Sequence, residues 1–239
     1  EIKGLAEFKW SKESAPTEFF PPCEERCGAL MEEMLGLKYL YADRSIAVVD
    51  KRAGMLSVPG RGIEKRDSVS HRFHTLFPST PEVCHVHRLD MDTSGLLVLA
   101  FDRESVKNLM MQFEERSVRK TYVALLEGVI EEESGDIDMP MRLDTDHRPR
   151  QIVDWEMGKR AITHWERIKV ITTPEERFTL VRFFPHTGRT HQLRVHASEG
   201  LRHPIVGDNL YGHQKEGERL MLHAESIVFR HPKTNEEME

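Results

Sequence analysis

One carboxylate stands out for its setting. Asp90 lies in the run His87-Arg88-Leu89-Asp90-Met91-Asp92-Thr93-Ser94-Gly95, with an arginine two residues before it, and the run opens directly into Leu96-Leu97-Val98-Leu99-Ala100. A carboxylate can attack as a nucleophile or stabilise developing positive charge. Side chains that do such work commonly sit on loops held by rigid elements. An unbroken apolar run bounded by Ser-Gly reads as a core strand, so Asp90 is expected in a polar loop at its mouth. An Asp in a loop is, on that fact alone, more readily a turn former, and Asp92, Thr93 and Ser94 are read that way.

The elements that must hold this loop follow from spacing and punctuation. Residues 1 to about 38 carry Pro16, Pro21 and Pro22 among mixed charges and read as an arm, with a short helix around Cys27–Leu37. Ile46-Ala47-Val48-Val49 reads as a short strand after a turn at Arg44-Ser45, and Lys51–Gly60 as a turn, a short strand and a loop. Asp67–Phe77 repeats Val69, Phe73 and Leu76 at helical spacing, with Asp67 as its cap; Arg103–Glu115 does the same with Val106, Leu109, Met110 and Phe113. Strands are expected at Lys120–Gly128, Gly135–Met141, Ala161–Val170, Phe178–Phe184 and within Leu220–Phe229. Thr190 is placed to cap a helix through Ala197, stopped by Gly200. Strands and helices mix without βαβ regularity, which predicts an α+β fold with a mixed, mostly antiparallel central sheet flanked by helices.

Composition bounds the rest. The 239 residues are 38% hydrophobic, enough for a proper core, and no apolar run approaches the roughly 20 residues that cross a bilayer. Cys23, Cys27 and Cys84 are too few for a disulfide framework and fit a reducing cytoplasm; they complete no tetrahedral ligand set, so no metal is expected. The net charge of -6 hides a local asymmetry: Arg177, Arg182, Arg189, Arg194 and Arg202 stand against Glu199 alone, with histidines at 186, 191, 196 and 203. Phosphate binding depends on local cations, so an acidic total does not exclude an RNA partner. No GxxxxGK[ST], GxGxxG or HExxH is present, which removes the commonest nucleotide and zinc-hydrolase readings.

The wording around Asp90, HRLDxxTSGLLxLA, resembles the signature of the RluA-type RNA pseudouridine synthases. Four further segments match in order: KRAGMLSVPG at Lys51–Gly60, Lys120-Thr121-Tyr122 with Ala124 and Gly128, a looser DxxxRPxQxVxxxxGKxAxT pattern over Asp144–Thr163, and PHTGRTHQLRVHASEGLRHPIVGDNLYG at Pro185–Gly212. Two departures stand out. Arg52 replaces the usual Pro after Lys51, and the resemblance implies a short apolar segment beyond Glu239.

The resemblance implies the pseudouridine synthase catalytic fold over residues 39–239 and a specific isomerisation. The N1–C1′ bond of a uridine breaks, the base turns, and C5 joins the same sugar carbon, with no cofactor. Asp90 takes the reacting role. Arg194 is its implied cationic partner, offsetting the rise that burial alone would impose on a carboxyl. Tyr122 is implied to stack on the base and handle the C5 proton, although a strand tyrosine is otherwise usually core. Extruding a uridine costs about a few kcal/mol, and Arg88 is implied to fill the vacated place. His87, Lys120, Arg189, His191 and Arg202 are the remaining implied RNA contacts, with His186 beside them; Asp208 is read as structural. His87 before Arg88, LSVPGR and an arm too short for an S4 domain point to the RluA branch. Its substrates would be uridine-32 of tRNA, uridine-746 of 23S rRNA, or both, with another uridine of 23S rRNA as the alternative target, met by a cytoplasmic monomer. Two other classes are weighed: a non-catalytic RNA-binding factor, which predicts damage at positions 90, 122 and 194, and a histidine-based phosphoesterase, for which only His196-Ala197-Ser198 fits the motif.

Overall fold

The computed structural model describes residues 36–239, so the expected arm helix and the pair Cys23 and Cys27 lie outside the described residues. Among the described residues ten strands form one sheet in the order β1-β2-β3-β9-β4-β8-β7-β5-β6, with β10 on β9. They are β1 (Lys38–Ala42), β2 (Ile46–Lys51), β3 (Ser94–Ala100), β4 (Arg119–Glu127), β5 (Ser134–Leu143), β6 (Gln151–Val153), β7 (Lys159–Thr172), β8 (Arg177–Pro185), β9 (Leu222–Arg230) and β10 (Glu237–Met238). Every pairing is antiparallel except β3 with β9, so the expected mixed, mostly antiparallel α+β architecture is what forms.

From Leu96 to Ala100 strand β3 is apolar because both of its faces are covered. Leu97 and Leu99 pack with Val49 and with Val69 and Phe73 of helix α1 (Val69–Leu76), while Val98 and Ala100 pack with Val106 and Leu109 of helix α2 (Arg103–Glu114). A strand buried on both sides reads as a continuous hydrophobic run rather than an alternating one. The other half of the sheet has its own core, where Leu126, Val181, Phe183 and Trp165 meet Leu193 and Ala197.

Helix α2 is capped by Asp102, whose Oδ1 accepts Ser105 N–H at 2.9 Å. Helix α1 corrects the expected cap: Ser68, in extended conformation, accepts His71 N–H, and Asp67 instead pairs with Arg72. Capping needs the residue whose chain turns into the helix, one place later than expected. Beyond Lys51, which ends β2, the segment to Gly60 forms no strand, only a bridge of Leu56 to Ser68. The helix expected from Thr190 is also different. Its first residue is preceded by His191, at φ 54 and ψ 19, helix α3 covers only Gln192–Val195, and His196–Gly200 continues as a π turn.

The two halves of the sheet meet at a short seam. Ser94 and Gly95 of β3 lie parallel to His223 and Ala224 of β9, and Ala224 in turn pairs with Tyr122 of β4. Gly95 has φ +111, and a Cβ there would stand 2.3 Å from the Ala224 carbonyl oxygen. Only glycine permits that approach. The seam therefore brings the loop before β3 beside the middle of β4.

Candidate active site

The Asp90 loop is tied down from beneath by Lys51. This lysine is 0% exposed, and its Nζ donates to the carbonyls of Arg52 at 3.0 Å, Met55 at 2.7 Å and Met91 at 2.9 Å. Burial pulls its amine down to about 8, with Asp92 and Asp90 pulling the other way. At neutral pH it is an ammonium whose three N–H groups match three carbonyls. Gly54 N–H donates to the Met91 carbonyl, Ser57 Oγ donates to the Leu89 carbonyl at 2.7 Å, and Thr93 N–H closes a turn on the Asp90 carbonyl. Lys51→Met leaves those three carbonyls with one partner fewer. It is expected to lower unfolding stability by roughly 3 kcal/mol in urea titration, with slower turnover as the loop loosens.

Asp90 opens into a cleft of about 520 Å³ lined also by Arg88, Lys120, Tyr122, Arg189, His191 and Arg194. Its side chain is 24% exposed, and among the described residues its carboxylate accepts no hydrogen bond. Tyr122 is set by register, paired with Ala224 on one side and Phe183 on the other. Burial and then the Asp90 carboxylate push its hydroxyl above the ordinary phenol range, so it stays protonated.

Arg194, the expected cationic partner of Asp90, is hydrogen-bonded to a different carboxylate. Arg194 makes a bidentate pair with Asp208, Nε to Oδ2 at 2.8 Å and Nη2 to Oδ1 at 2.6 Å, and Nη2 also donates to Asn209 Oδ1 at 3.1 Å. Asp208 is 0% exposed and its Oδ1 also accepts the N–H groups of Leu210 and Tyr211. A buried carboxylate already fixed by its own turn meets the guanidinium fork better than one on a partly exposed loop. Burial works to raise the Asp208 carboxyl, but Arg194 and the two N–H groups hold it below the usual range. Arg194 still lines the cleft, where it and Asp90 act on each other through their charges.

The other expected contacts divide. Arg88 and Arg189 are exposed at the cleft, with Arg189 Nε donating to the Arg160 carbonyl, and His186 stands with them. Lys120 is half-buried there, its amine lowered by burial and by Arg116. His87 departs from expectation. Its Nε2 accepts Val98 N–H at 3.0 Å, its ring stacks on Phe113, and burial lowers it to about 3, so it offers phosphate no charge. It holds the loop's entry against β3. Arg202 lies outside the cleft lining and pairs with Glu199. Three residues that matter were not singled out: Lys51, Tyr211, and Asp208 as the holder of Arg194. Only the polar DNLYG turn hinted at the last two. No cluster of three or more metal-ligating side chains occurs among the described residues, and no helix there is long and apolar enough to cross a membrane.

The chain is similar to known proteins in sequence and in fold. Residues 45–199 match the family model described as RNA pseudouridylate synthase. A Yersinia pestis protein named dual-specificity RNA pseudouridine synthase RluA is 43% identical over 196 residues, covering 81% of this chain and 92% of that one. Its Escherichia coli K12 namesake is 42% identical over 199 residues, covering 82% and 88%. Among solved structures, human RNA pseudouridylate synthase domain containing 1 superposes with a TM-score of 0.70 at 30% identity, covering 85% of this chain and 81% of that one. Human RNA pseudouridylate synthase domain containing 4 gives 0.68 at 24%, covering 90% and 91%, a likeness of fold. A loop carboxylate, a protonated phenol and a buried guanidinium facing one cleft thus sit in a chain that belongs to the RluA family of RNA pseudouridine synthases, isomerases acting on uridine in RNA.

Proposed function

We propose that the cleft receives a uridine extruded from structured RNA and that Asp90 is the group that reacts with it. The observation that carries this is the convergence of Asp90, Tyr122 and Arg194 on one cleft from three separate parts of the chain. The carboxylate either attacks C1′ or steadies positive charge on the sugar as N1–C1′ breaks. The base turns, C5 bonds to C1′, the C5 proton leaves and N1 gains one, so the mass is unchanged. Tyr122 supports the base through its ring. Its raised hydroxyl suits a proton donor or hydrogen-bond holder better than a phenolate base. Arg88, exposed beside Asp90, fills the place the base leaves, and Arg189 and His186 meet the flanking phosphates.

The targets we propose are the two classes carried by the RluA branch, the anticodon-loop uridine-32 of tRNA and uridine-746 of 23S rRNA. LSVPGR at Leu56–Arg61 and the dual-specificity name of relatives at 42–43% identity support both. A single catalytic domain over residues 39–239, working as a cytoplasmic monomer without a cofactor, completes the reading. The test is incubation with unmodified tRNA and with a 23S rRNA fragment, each tritiated at C5 of uridine. Tritium release with unchanged RNA length, and pseudouridine mapped to one site in each RNA, is expected. Release from one RNA alone reduces the reading to single specificity. Shortened RNA without a C-glycoside would support the phosphoesterase reading and overturn this one.

A further inference from the structure

His191 was expected to touch RNA, yet its two ring nitrogens face protein. Nδ1 lies 2.7 Å from the Tyr211 hydroxyl, and that same oxygen accepts Gln151 N–H from β6 at 2.7 Å. A phenol oxygen already taking one N–H has its own proton to give, so Tyr211 donates to Nδ1. A neutral imidazole that accepts at Nδ1 carries its hydrogen on Nε2. That nitrogen faces Asp90, with Nε2 to Oδ2 at 4.0 Å.

Two further observations agree. The His191 side chain is only 9% exposed, and its backbone sits at φ 54, a region that non-glycine residues hold only where the surroundings demand it. Burial, and Arg194 after it, keep the imidazole below its ordinary value against the pull of Asp90, and burial keeps the Tyr211 hydroxyl up at about 12. Both partners therefore hold at neutral pH the protons this arrangement needs.

We infer that His191 is a positioning residue for Asp90: Tyr211 fixes its tautomer, and its Nε2–H holds the Asp90 carboxylate toward the substrate. This rests on the reading of Asp90 as the reacting group. The 4.0 Å separation is beyond hydrogen-bond reach, and such bonds commonly tighten only with substrate in place.

Two substitutions separate this role from a structural one. His191→Gln keeps an amide N–H near the Nε2 position, whereas His191→Asn keeps a group near Nδ1 for Tyr211 but presents nothing to Asp90. Asparagine tolerates the left-handed backbone better, so a folding defect would favour Asn over Gln. The measurements are single-turnover rate at saturating RNA and RNA dissociation constant, with Asp90→Asn run alongside. His191→Asn is expected to slow the step on the order of 10- to 100-fold with RNA affinity unchanged, and His191→Gln to recover most of that loss. Asn equal to or faster than Gln, or weakened RNA binding with an unaltered rate, overturns the inference while an inactive Asp90→Asn leaves the reading of the site standing. Turnover by Asp90→Asn removes that reading, and this inference with it.

Discussion

Asp90→Asn is expected to abolish isomerisation, by about 10⁴-fold or more in single-turnover rate, while RNA affinity and unfolding midpoint stay close to those of the unaltered protein. The expectation follows from how little the carboxylate does for the fold. Its backbone carbonyl closes the Thr93 turn, but among the described residues its side chain accepts no hydrogen bond. The loop is held instead by Lys51, Ser57 and Gly54, all acting on backbone atoms. An amide of the same shape leaves those ties alone, and a change in stability beyond about 1 kcal/mol would be unusual for such a site. What it removes is the charge and the nucleophile that the breaking glycosidic bond requires. Tritium release and thermal melting are the two readings. Appreciable turnover would show that the reacting group lies elsewhere in the cleft.

The second large effect is expected at Asp208, a residue that touches no substrate in this reading. Asp208→Asn leaves the Arg194 guanidinium buried without its counter-charge, which typically costs about 3–5 kcal/mol. Urea titration at pH 7 measures it. The pH dependence has a definite sign. The Asp208 carboxyl is held below its ordinary value in the folded protein, chiefly by Arg194 against the opposing effect of burial. Its contribution is therefore fully present above the unfolded carboxyl value of about 3.9, and is lost as pH falls through the lower folded value. The gap between Asp208→Asn and the unaltered protein should narrow below about pH 4 for the same reason. Arg194→Met combined with Asp208→Asn should recover part of the stability, since removing both charges is milder than stranding one. Recovered stability without recovered turnover would separate the pair's structural work from the guanidinium's work at the cleft. A loss below about 1 kcal/mol for Asp208→Asn would mean the pair is solvated, as surface pairs are.

Local patterns carried the elements further than they carried the site. The apolar run at Leu96–Ala100 and the periodic helices at 69–76 and 103–114 were legible because burial on one or both faces writes itself into spacing. Strands β6 and β10, three and two residues long, are too short to write any pattern. The segment after Thr190 was misread because distant groups set its conformation. The Gln192 side chain accepts from Thr187 Oγ1 and Arg189 N–H, and donates to the Ile162 carbonyl and Thr163 Oγ1, all outside its own helix. That network fixes the start of α3 and leaves His191 in the left-handed region, overriding what a threonine cap would do. The pair of Arg194 with Asp208 spans 14 residues with no periodic relation, so the acidic partner could not be chosen from spacing. Lys51 is the plainest case: a lysine reads as exposed, and only three converging carbonyls explain one that is fully buried.

Strand order has a consequence for biosynthesis. The last long strand, Leu222–Arg230, lies in the interior of the sheet, between β3 and β4, although it leaves the ribosome after both. A nascent polypeptide can pair β2 with β3, and β4 with β8, as each emerges, since domains generally begin folding from their amino-terminal side. Among the described residues those two subassemblies share no strand pairing, and Ala224 supplies it by sitting between Gly95 and Tyr122. The stretch of sheet that sets the Asp90 loop beside Tyr122 is therefore completed only after residue 224 has been made.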